Sequence, residues 1–131
     1  MRRFCELLNE FHKLDQVIVG SFHDAQITLF RRLCPQVLTA AGVTETRRFL
    51  LLNNLNLARL YRPPAFAFQV PEAVGRLRVI TPRFIHRAHA HGLQVHVWTI
   101  NETAEMQRLV EWGVDGIMTD YPDRLAAVLG R

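Results

Sequence analysis

The chain has 131 residues, of which 49% are hydrophobic and 21% are charged, and its formal net charge is +4 with an isoelectric point near 9.8. This length suits one domain with a buried core, and the longest apolar runs, such as Phe49–Leu52, are far too short to cross a bilayer. Glu6 and Glu10 interrupt any signal-peptide core behind Arg2 and Arg3, so we expect a cytoplasmic protein with no transmembrane segment.

The first half of the chain alternates helical spacing with short β-branched runs. The predicted elements are, in chain order, a helix over Arg3–Leu14, a strand over Gln16–Phe22, a helix that ends before Pro35, a strand over Gln36–Ala40 and a helix over Thr44–Tyr61. We expect Ser21 and Asp24 to form a capping box for the second helix. The buried stripes are expected to include Leu29 on that helix and Leu57 and Leu60 on the third.

The second half continues the alternation. The predicted elements are a strand over Ala65–Val70, a connection over Val74–Ile80, a helix that begins with Thr81 and Pro82 and ends at Gly92, and a strand over Leu93–Thr99. They are followed by a helix that ends at Gly113, a strand over Gly116–Thr119 and a helix over Asp123–Leu129. The buried face of the helix before Gly113 is expected to include Val110. Strands alternating with helices imply a parallel sheet with right-handed crossovers. We therefore expect an α/β fold in one domain, residues 1–131.

The basic charge and the cysteines suggest no special chemistry. Arginine doublets are scattered and not interleaved with aromatic residues, so we expect no nucleic-acid partner. Cys5 and Cys34 are far apart in the sequence and show no metal-ligand spacing, which predicts buried free thiols. His86 and His89 could share a helix face, but no carboxylate completes a metal site. His96 and Trp98 are two residues apart in one predicted strand, so their side chains should point to the same face. At His96 a buried, hydrogen-bonded histidine is favoured over a catalytic one.

Two stretches in the last third of the chain carry a family resemblance. Val97–Asn101 resembles the Trp-Thr-Val-Asn motif of the glycerophosphodiester phosphodiesterases, and Gly113–Pro122 resembles their final strand. Val17–Phe22, Phe68–Pro71 and Val79–Pro82 resemble earlier pieces in the same order. The resemblance implies a TIM (β/α)₈ barrel. Because such barrels need about 250 residues, we expect this chain to hold the C-terminal half.

The resemblance also implies an activity, the hydrolysis of glycerophosphodiesters to an alcohol and glycerol 3-phosphate. In the family this requires a His-Arg-Gly motif and a Glu-x-Asp pair that binds a divalent cation, calcium or magnesium. His86 and Arg87 are followed by Ala88, and the chain contains no Glu-x-Asp. No catalytic residue and no metal ligand is therefore carried over, and we expect the chain alone to be inactive.

The resemblance places four residues at the substrate-facing rim: Phe22, Gln69, Trp98 and Asn101. Trp98 would offer an apolar wall, while Gln69 and Asn101 would hydrogen-bond hydroxyl groups of a glycerophosphodiester substrate. Each has a simpler interpretation, since Asn101 is also a suitable helix cap and the other three are also plausible core residues. Asp120 is anionic, which favours a loop-ordering role over phosphate binding.

Two alternatives to an enzymatic role remain open. The first is a non-catalytic half-barrel that pairs with a missing N-terminal half or with a second copy of itself, because an open half exposes strand edges. The second is an unrelated parallel α/β binding module.

Overall fold

Helices and strands alternate along residues 1–131, all of which the computed structural model describes. The helices are α1 (Arg2–Glu10), α2 (Asp24–Leu33), α3 (Val43–Asn54), α4 (Pro82–Ala90), α5 (Thr103–Glu111) and α6 (Pro122–Val128), with a short 3₁₀ helix at Ala58–Leu60. The strands are β1 (Ile18–Val19), β2 (Leu38–Thr39), β3 (Ala67–Pro71), β4 (Ala73–Val74), β5 (Leu77–Arg78), β6 (Gln94–Trp98) and β7 (Gly116–Ile117). None of these helices combines the length and the apolar composition needed to span a bilayer.

Five of the strands form one parallel wall. β1 pairs with β2, and β6 lies between β3 and β7, all in parallel. A bridge between Ala40 and Ala67 joins the two groups, and the amide of Phe66 donates to the carbonyl of Thr39 over 2.8 Å. The resulting order, β1-β2-β3-β6-β7, confirms the predicted α/β fold of parallel strand–helix units.

The predicted connection over Val74–Ile80 does join β3 to α4, and it contains an antiparallel hairpin that the sequence did not predict. Ala73 pairs with Arg78 and Val74 with Leu77, and Gly75 turns the chain with φ +58°. Each arm is only two residues long, so no alternating pattern could reveal it in the sequence. The hairpin follows β3 directly and projects beside the end of that strand.

The main core lies between the wall and its helices. The rings of Phe49, Phe68 and Phe84, from α3, β3 and α4, meet with centroid distances of 4.8 to 5.4 Å. Along β6, Val95 and Val97 are buried in this core, whereas Gln94, His96 and Trp98 lie half-buried on the opposite face. The parity expected for His96 and Trp98 is therefore confirmed.

The helix ends follow the local sequence signals at three predicted places. Thr81 Oγ1 accepts a hydrogen bond from the amide of Phe84 at the start of α4. Gly92 and Gly113 have φ values of +70° and +85° after α4 and α5, a conformation in which glycine lacks the steric cost of other residues.

The predicted capping box at the start of α2 is wrong. Ser21 Oγ accepts from the amide of His23, while the Asp24 carboxylate accepts from the amide and the hydroxyl of Thr44 in α3. The Asp24 side chain therefore ties α2 to the start of α3. A tertiary partner twenty residues away has replaced the local one.

The third predicted helix is too long. It ends at Asn54, and Asn56 has φ +64° before the 3₁₀ helix begins. As a result Leu57 and Leu60 are 38% and 69% exposed, so they do not extend the buried stripe. Leu29 of α2 and Val110 of α5 are also exposed, and Ile27 takes the core position on α2.

The expectation of free thiols is also wrong, because Cys5 and Cys34 form a disulfide. α1 packs on α2, with the rings of Phe4 and Phe30 5.7 Å apart, and this packing brings the two Cα atoms to 5.9 Å. Phe30, Cys34 and Val37 form a small second core at this end of the molecule. The sequence separation of 29 residues hides the proximity.

Candidate functional site

A cleft of about 690 Å³ opens at the carboxyl ends of the parallel strands. Parallel strands bring these ends to one face of the sheet, which is where ligands bind in such folds. The start of α3 and the hairpin close its sides, and most of its surface is apolar. The cleft residues that lie at the carboxyl ends of the strands or directly after them are Gly20, Ser21, Phe22, Ala40, Ala41, Gln69, Val70, Pro71, Trp98, Thr99 and Met118.

Phe22 and Trp98 form an aromatic edge of the cleft. Their ring centroids lie 5.8 Å apart at an interplanar angle of 83°, an edge-to-face arrangement that aromatic pairs favour. Phe22 is 74% exposed, so the alternative that it is a core residue is wrong. Trp98 is half-buried on the cleft side of β6. The pair therefore presents an apolar surface to the cleft and does not fill the core.

Gln69 reaches the cleft from β3, and His96 orients its amide. Gln69 Nε2 lies 3.3 Å from His96 Nδ1, and His96 Nε2 lies 3.0 Å from Gln94 Oε1. A neutral imidazole satisfies both bonds when Nδ1 accepts from Gln69 and Nε2 donates to Gln94. Burial lowers the pKa of His96, with Asp115 acting in the opposite direction, so the neutral ring is favoured.

This arrangement leaves the oxygen of Gln69 directed toward the cleft. A Cβ atom placed on Gly20 would lie 3.1 Å from Gln69 Oε1, and both residues line the cleft. Gly116 makes room for the imidazole, because a Cβ there would lie 2.9 Å from His96 Cδ2. The sequence had no signal for this relay, since Gln69 and His96 are neighbours only through the pairing of β3 with β6.

Asn101 lies beside the cleft and not among the residues that line it. Its Oδ1 accepts from Thr119 Oγ1 at 3.1 Å and from the amide of Asp120 at 3.0 Å, and its Nδ2 donates to Asp120 Oδ2 at 2.9 Å. The capping interpretation is wrong, because α5 begins at Thr103 and its N-terminal flanking residue is Glu102. Asn101 instead ties the loop after β6 to the loop after β7.

An ion pair stabilises the end of β2 next to the cleft. Arg31 Nη1 and Nη2 donate to the Glu45 carboxylate at 2.6 and 3.0 Å, and Arg31 also donates to Thr39 Oγ1 and to the carbonyl of Ala40. The Glu45 carboxylate in turn accepts from the amide of Gly42 at 2.8 Å. The network joins α2, the end of β2 and the start of α3.

One cation of the cleft wall is unpaired. Arg47 lines the cleft from the first turns of α3, is exposed, and takes part in none of the ion pairs of the chain. An arginine in this position can bind an anionic group such as a phosphate with paired hydrogen bonds. The sequence alone does not reveal this role, because nothing distinguishes Arg47 from its neighbour Arg48 until the position of α3 is known.

A divalent cation does not fit the residues of this chain. Nowhere do three or more His, Cys, Asp or Glu side chains come together in a way that could hold a metal ion. His89, one of the two helix histidines, lies 2.8 Å from Asp115 Oδ2 through its Nε2, and that carboxylate oxygen also accepts from the amide of Val95. Asp115 is therefore occupied in fixing β6.

Comparison with known proteins identifies relatives for nearly the whole chain. The model of the "Glycerophosphoryl diester phosphodiesterase family" matches residues 1–124. Over 120 residues the chain is 34% identical to "Probable glycerophosphodiester phosphodiesterase 2" of Mycobacterium tuberculosis, an alignment that covers 88% of this chain and 45% of that protein. The chain spans less than half the length of the first curated relatives it matches.

Solved structures show the same fold. A glycerophosphodiester phosphodiesterase from Agrobacterium tumefaciens superposes with a TM-score of 0.74 at 18% identity, covering 99% of this chain and 52% of that one. An Oleispira antarctica phosphodiesterase in complex with its product sn-glycerol-3-phosphate superposes with a TM-score of 0.69 at 16% identity, covering 98% and 48%. Both neighbours confirm that the chain matches about half of a glycerophosphodiesterase TIM barrel.

Proposed function

Since the chain belongs to the glycerophosphoryl diester phosphodiesterase family, we propose that its cleft is the substrate-binding side of a glycerophosphodiesterase site. The observation that carries this proposal is the set of groups around one cleft at the carboxyl ends of the strands. An aromatic edge, an amide oxygen and an unpaired arginine line it. These groups suit a small molecule with an apolar carbon backbone, hydroxyl groups and one negative charge.

Each group has a distinct task in the proposal. Phe22 and Trp98 pack against the glycerol backbone or the alcohol group. Gln69 Oε1 accepts a hydrogen bond from a glycerol hydroxyl, and Arg47 binds the phosphate. We include Asn101 because its bonds to Thr119 and Asp120 fix the loop that follows Met118 at the edge of the cleft.

The complete reaction cleaves the phosphodiester to an alcohol and glycerol 3-phosphate. A divalent cation, calcium or magnesium, would polarise the phosphoryl oxygen, and a histidine would act as general acid or base. The absence of a Glu-x-Asp pair and of any acidic cluster suited to a cation supports the view that residues 1–131 do not supply these groups. We propose that the chain binds substrate and does not hydrolyse it alone.

The test is hydrolysis of glycerophosphocholine by the purified chain with magnesium or calcium, with choline release as the readout. We expect no release above a protein-free blank. Release that depends on the metal and is abolished by a chelator would overturn the proposal that the chain lacks catalytic groups. A positive control is a full-length relative assayed in the same buffers.

Association is the second candidate, and the exposed surface of the chain favours it. The accessible surface is 8161 Å², whereas a compact monomer of this mass exposes roughly 7,100 Å². The difference is about what one partner buries in a stable interface. β1 and β7 each have a neighbour on one side only. Light scattering decides this candidate, since a well-folded monomer at high concentration would contradict it.

A further inference from the structure

The charge of the chain is concentrated in one segment. Residues 46–91 contain eight arginines and a single acidic residue, Glu72. The Glu72 carboxylate is already bound by Arg108 at 2.8 Å. With histidines neutral, this segment carries a charge of +7, which exceeds the +4 of the whole chain. The remainder is therefore net negative, and the excess positive charge belongs to the segment that contains α3, the 3₁₀ helix, the hairpin and α4.

Exposed aliphatic side chains lie within the same segment. Leu51 of α3 is 59% exposed, and Val74 and Leu77 at the turn of the hairpin are 61% and 51% exposed. Arg76 and Arg78 flank Leu77 and are also exposed. Aliphatic and basic residues interleaved on a short projecting turn are suited to the boundary between lipid headgroups and acyl chains.

These residues surround the mouth of the cleft. Arg47 of α3 and Val74 and Leu77 of the hairpin all line it. Leu51 follows Arg47 by four residues on the same side of α3. We call this surface the cleft rim and define it by Arg47, Leu51, Val74, Arg76, Leu77 and Arg78.

The cleft rim lies on elements other than the open edge strands of the sheet. Those edges are β1 and β7, whereas the hairpin follows β3, the middle strand of the wall, and α3 lies between β2 and β3. Pairing at β1 and β7 alone therefore does not account for the exposed aliphatic residues of the cleft rim.

We infer that the cleft rim docks onto an anionic lipid surface, so that the cleft opens toward phosphodiesters carried at that surface. The substrate part of this inference rests on the proposed function, and the docking part does not. A lipid surface fits better than nucleic acid, because aliphatic tips such as Val74 and Leu77 enter an acyl boundary but find no partner on a phosphate backbone. Each arginine near such a surface strengthens partition by about fivefold.

Co-sedimentation of the whole chain with vesicles tests the inference. We expect binding to vesicles of phosphatidylglycerol mixed with phosphatidylcholine, and weak binding to phosphatidylcholine alone. Arg76→Ser/Arg78→Ser should weaken partition by roughly 25-fold at low salt. Arg2→Ser/Arg32→Ser removes the same charge from α1 and α2, which do not line the cleft, and should weaken it far less. Leu51→Ser should weaken it without any change of charge.

Three outcomes would overturn the inference. The first is no binding to anionic vesicles, and the second is an equal loss in the two double variants, which would indicate a diffuse effect of net charge. The third is that a DNA duplex binds the chain as tightly as the anionic vesicles do and that Arg76→Ser/Arg78→Ser weakens both interactions to the same extent. Titration of the same proteins with free sn-glycerol 3-phosphate separates the two proposals, since neither double variant changes a residue placed in the cleft. Vesicle binding without ligand binding retains docking and rejects the proposed function.

Discussion

Arg31 gives the sharpest stability prediction, because one side chain joins three elements at the cleft. Its guanidinium binds the Glu45 carboxylate with two hydrogen bonds and also donates to Thr39 Oγ1 and to the carbonyl of Ala40. The side chains of Arg31 and Glu45 are only 17% and 18% exposed. Arg31→Met keeps the aliphatic stem and removes every one of these donors.

The loss of stability in Arg31→Met depends on how well the remaining Glu45 carboxylate is solvated. Removing one partner of a buried pair costs about 3–5 kcal/mol, because the other charge stays buried without compensation. Glu45 keeps the amide of Gly42 and some solvent, so we expect the free energy of unfolding to fall by about 2–4 kcal/mol. Replacing both members, in Arg31→Met/Glu45→Leu, should recover at least half of that loss.

Urea unfolding followed by circular dichroism measures these differences. The matched control is Arg3→Met, since Arg3 also binds a carboxylate, Glu10 at 2.9 Å, but the two side chains are 67% and 51% exposed. That variant should lose less than about 1 kcal/mol. If Arg31→Met and Arg3→Met lower the free energy of unfolding by the same amount, the network around Arg31 does not stabilise the end of β2.

Three further predictions concern the relay behind Gln69, the disulfide and the aromatic edge. Burial lowers the pKa of His96, so as the pH falls the histidine is protonated in the unfolded chain before it is protonated in the folded one. The free energy of unfolding should therefore decrease as the pH drops through and below the ordinary histidine pKa, and His96→Gln should make this decrease smaller. Urea unfolding at several pH values measures both proteins, and parallel pH profiles for them would refute the prediction. Cys5→Ser/Cys34→Ser should lower the free energy of unfolding by roughly 3–4 kcal/mol, because the disulfide closes a loop over a sequence separation of 29; an unchanged urea midpoint would contradict the bond. Trp98→Ala should weaken binding of sn-glycerol 3-phosphate more than it lowers the melting temperature, whereas Trp112→Ala should show the reverse ranking, because Trp112 packs against the main core.

Local signals carried much of the fold. Thr81 and Pro82 mark the start of α4, and Gly92 and Gly113 mark ends of helices, because capping and positive φ depend on residues next to one another. The alternation of apolar runs was enough to predict parallel strand–helix units. It predicted strands that are too long, since residues such as Ser21 and Phe22 leave the sheet to enter the cleft.

The candidate site depended on contacts that no local pattern encodes. Asn101 satisfies the rule for a helix cap, yet its amide binds Thr119 and Asp120 from a neighbouring strand unit. The relay from His96 to Gln69 requires the register of β3 against β6. Pairs of this kind join residues about twenty or more positions apart, so they follow from the packed sheet and not from spacing along the chain.

The most direct test of the proposal that the cleft binds substrate is a ¹H–¹⁵N NMR titration of the whole chain with sn-glycerol 3-phosphate. We expect saturable shifts of the Gln69 side-chain amide, the Trp98 indole and the Phe22 backbone amide, while the signal of the Trp112 indole stays fixed. Absence of shifts at millimolar ligand, or shifts centred on Trp112, would contradict the assignment of the cleft.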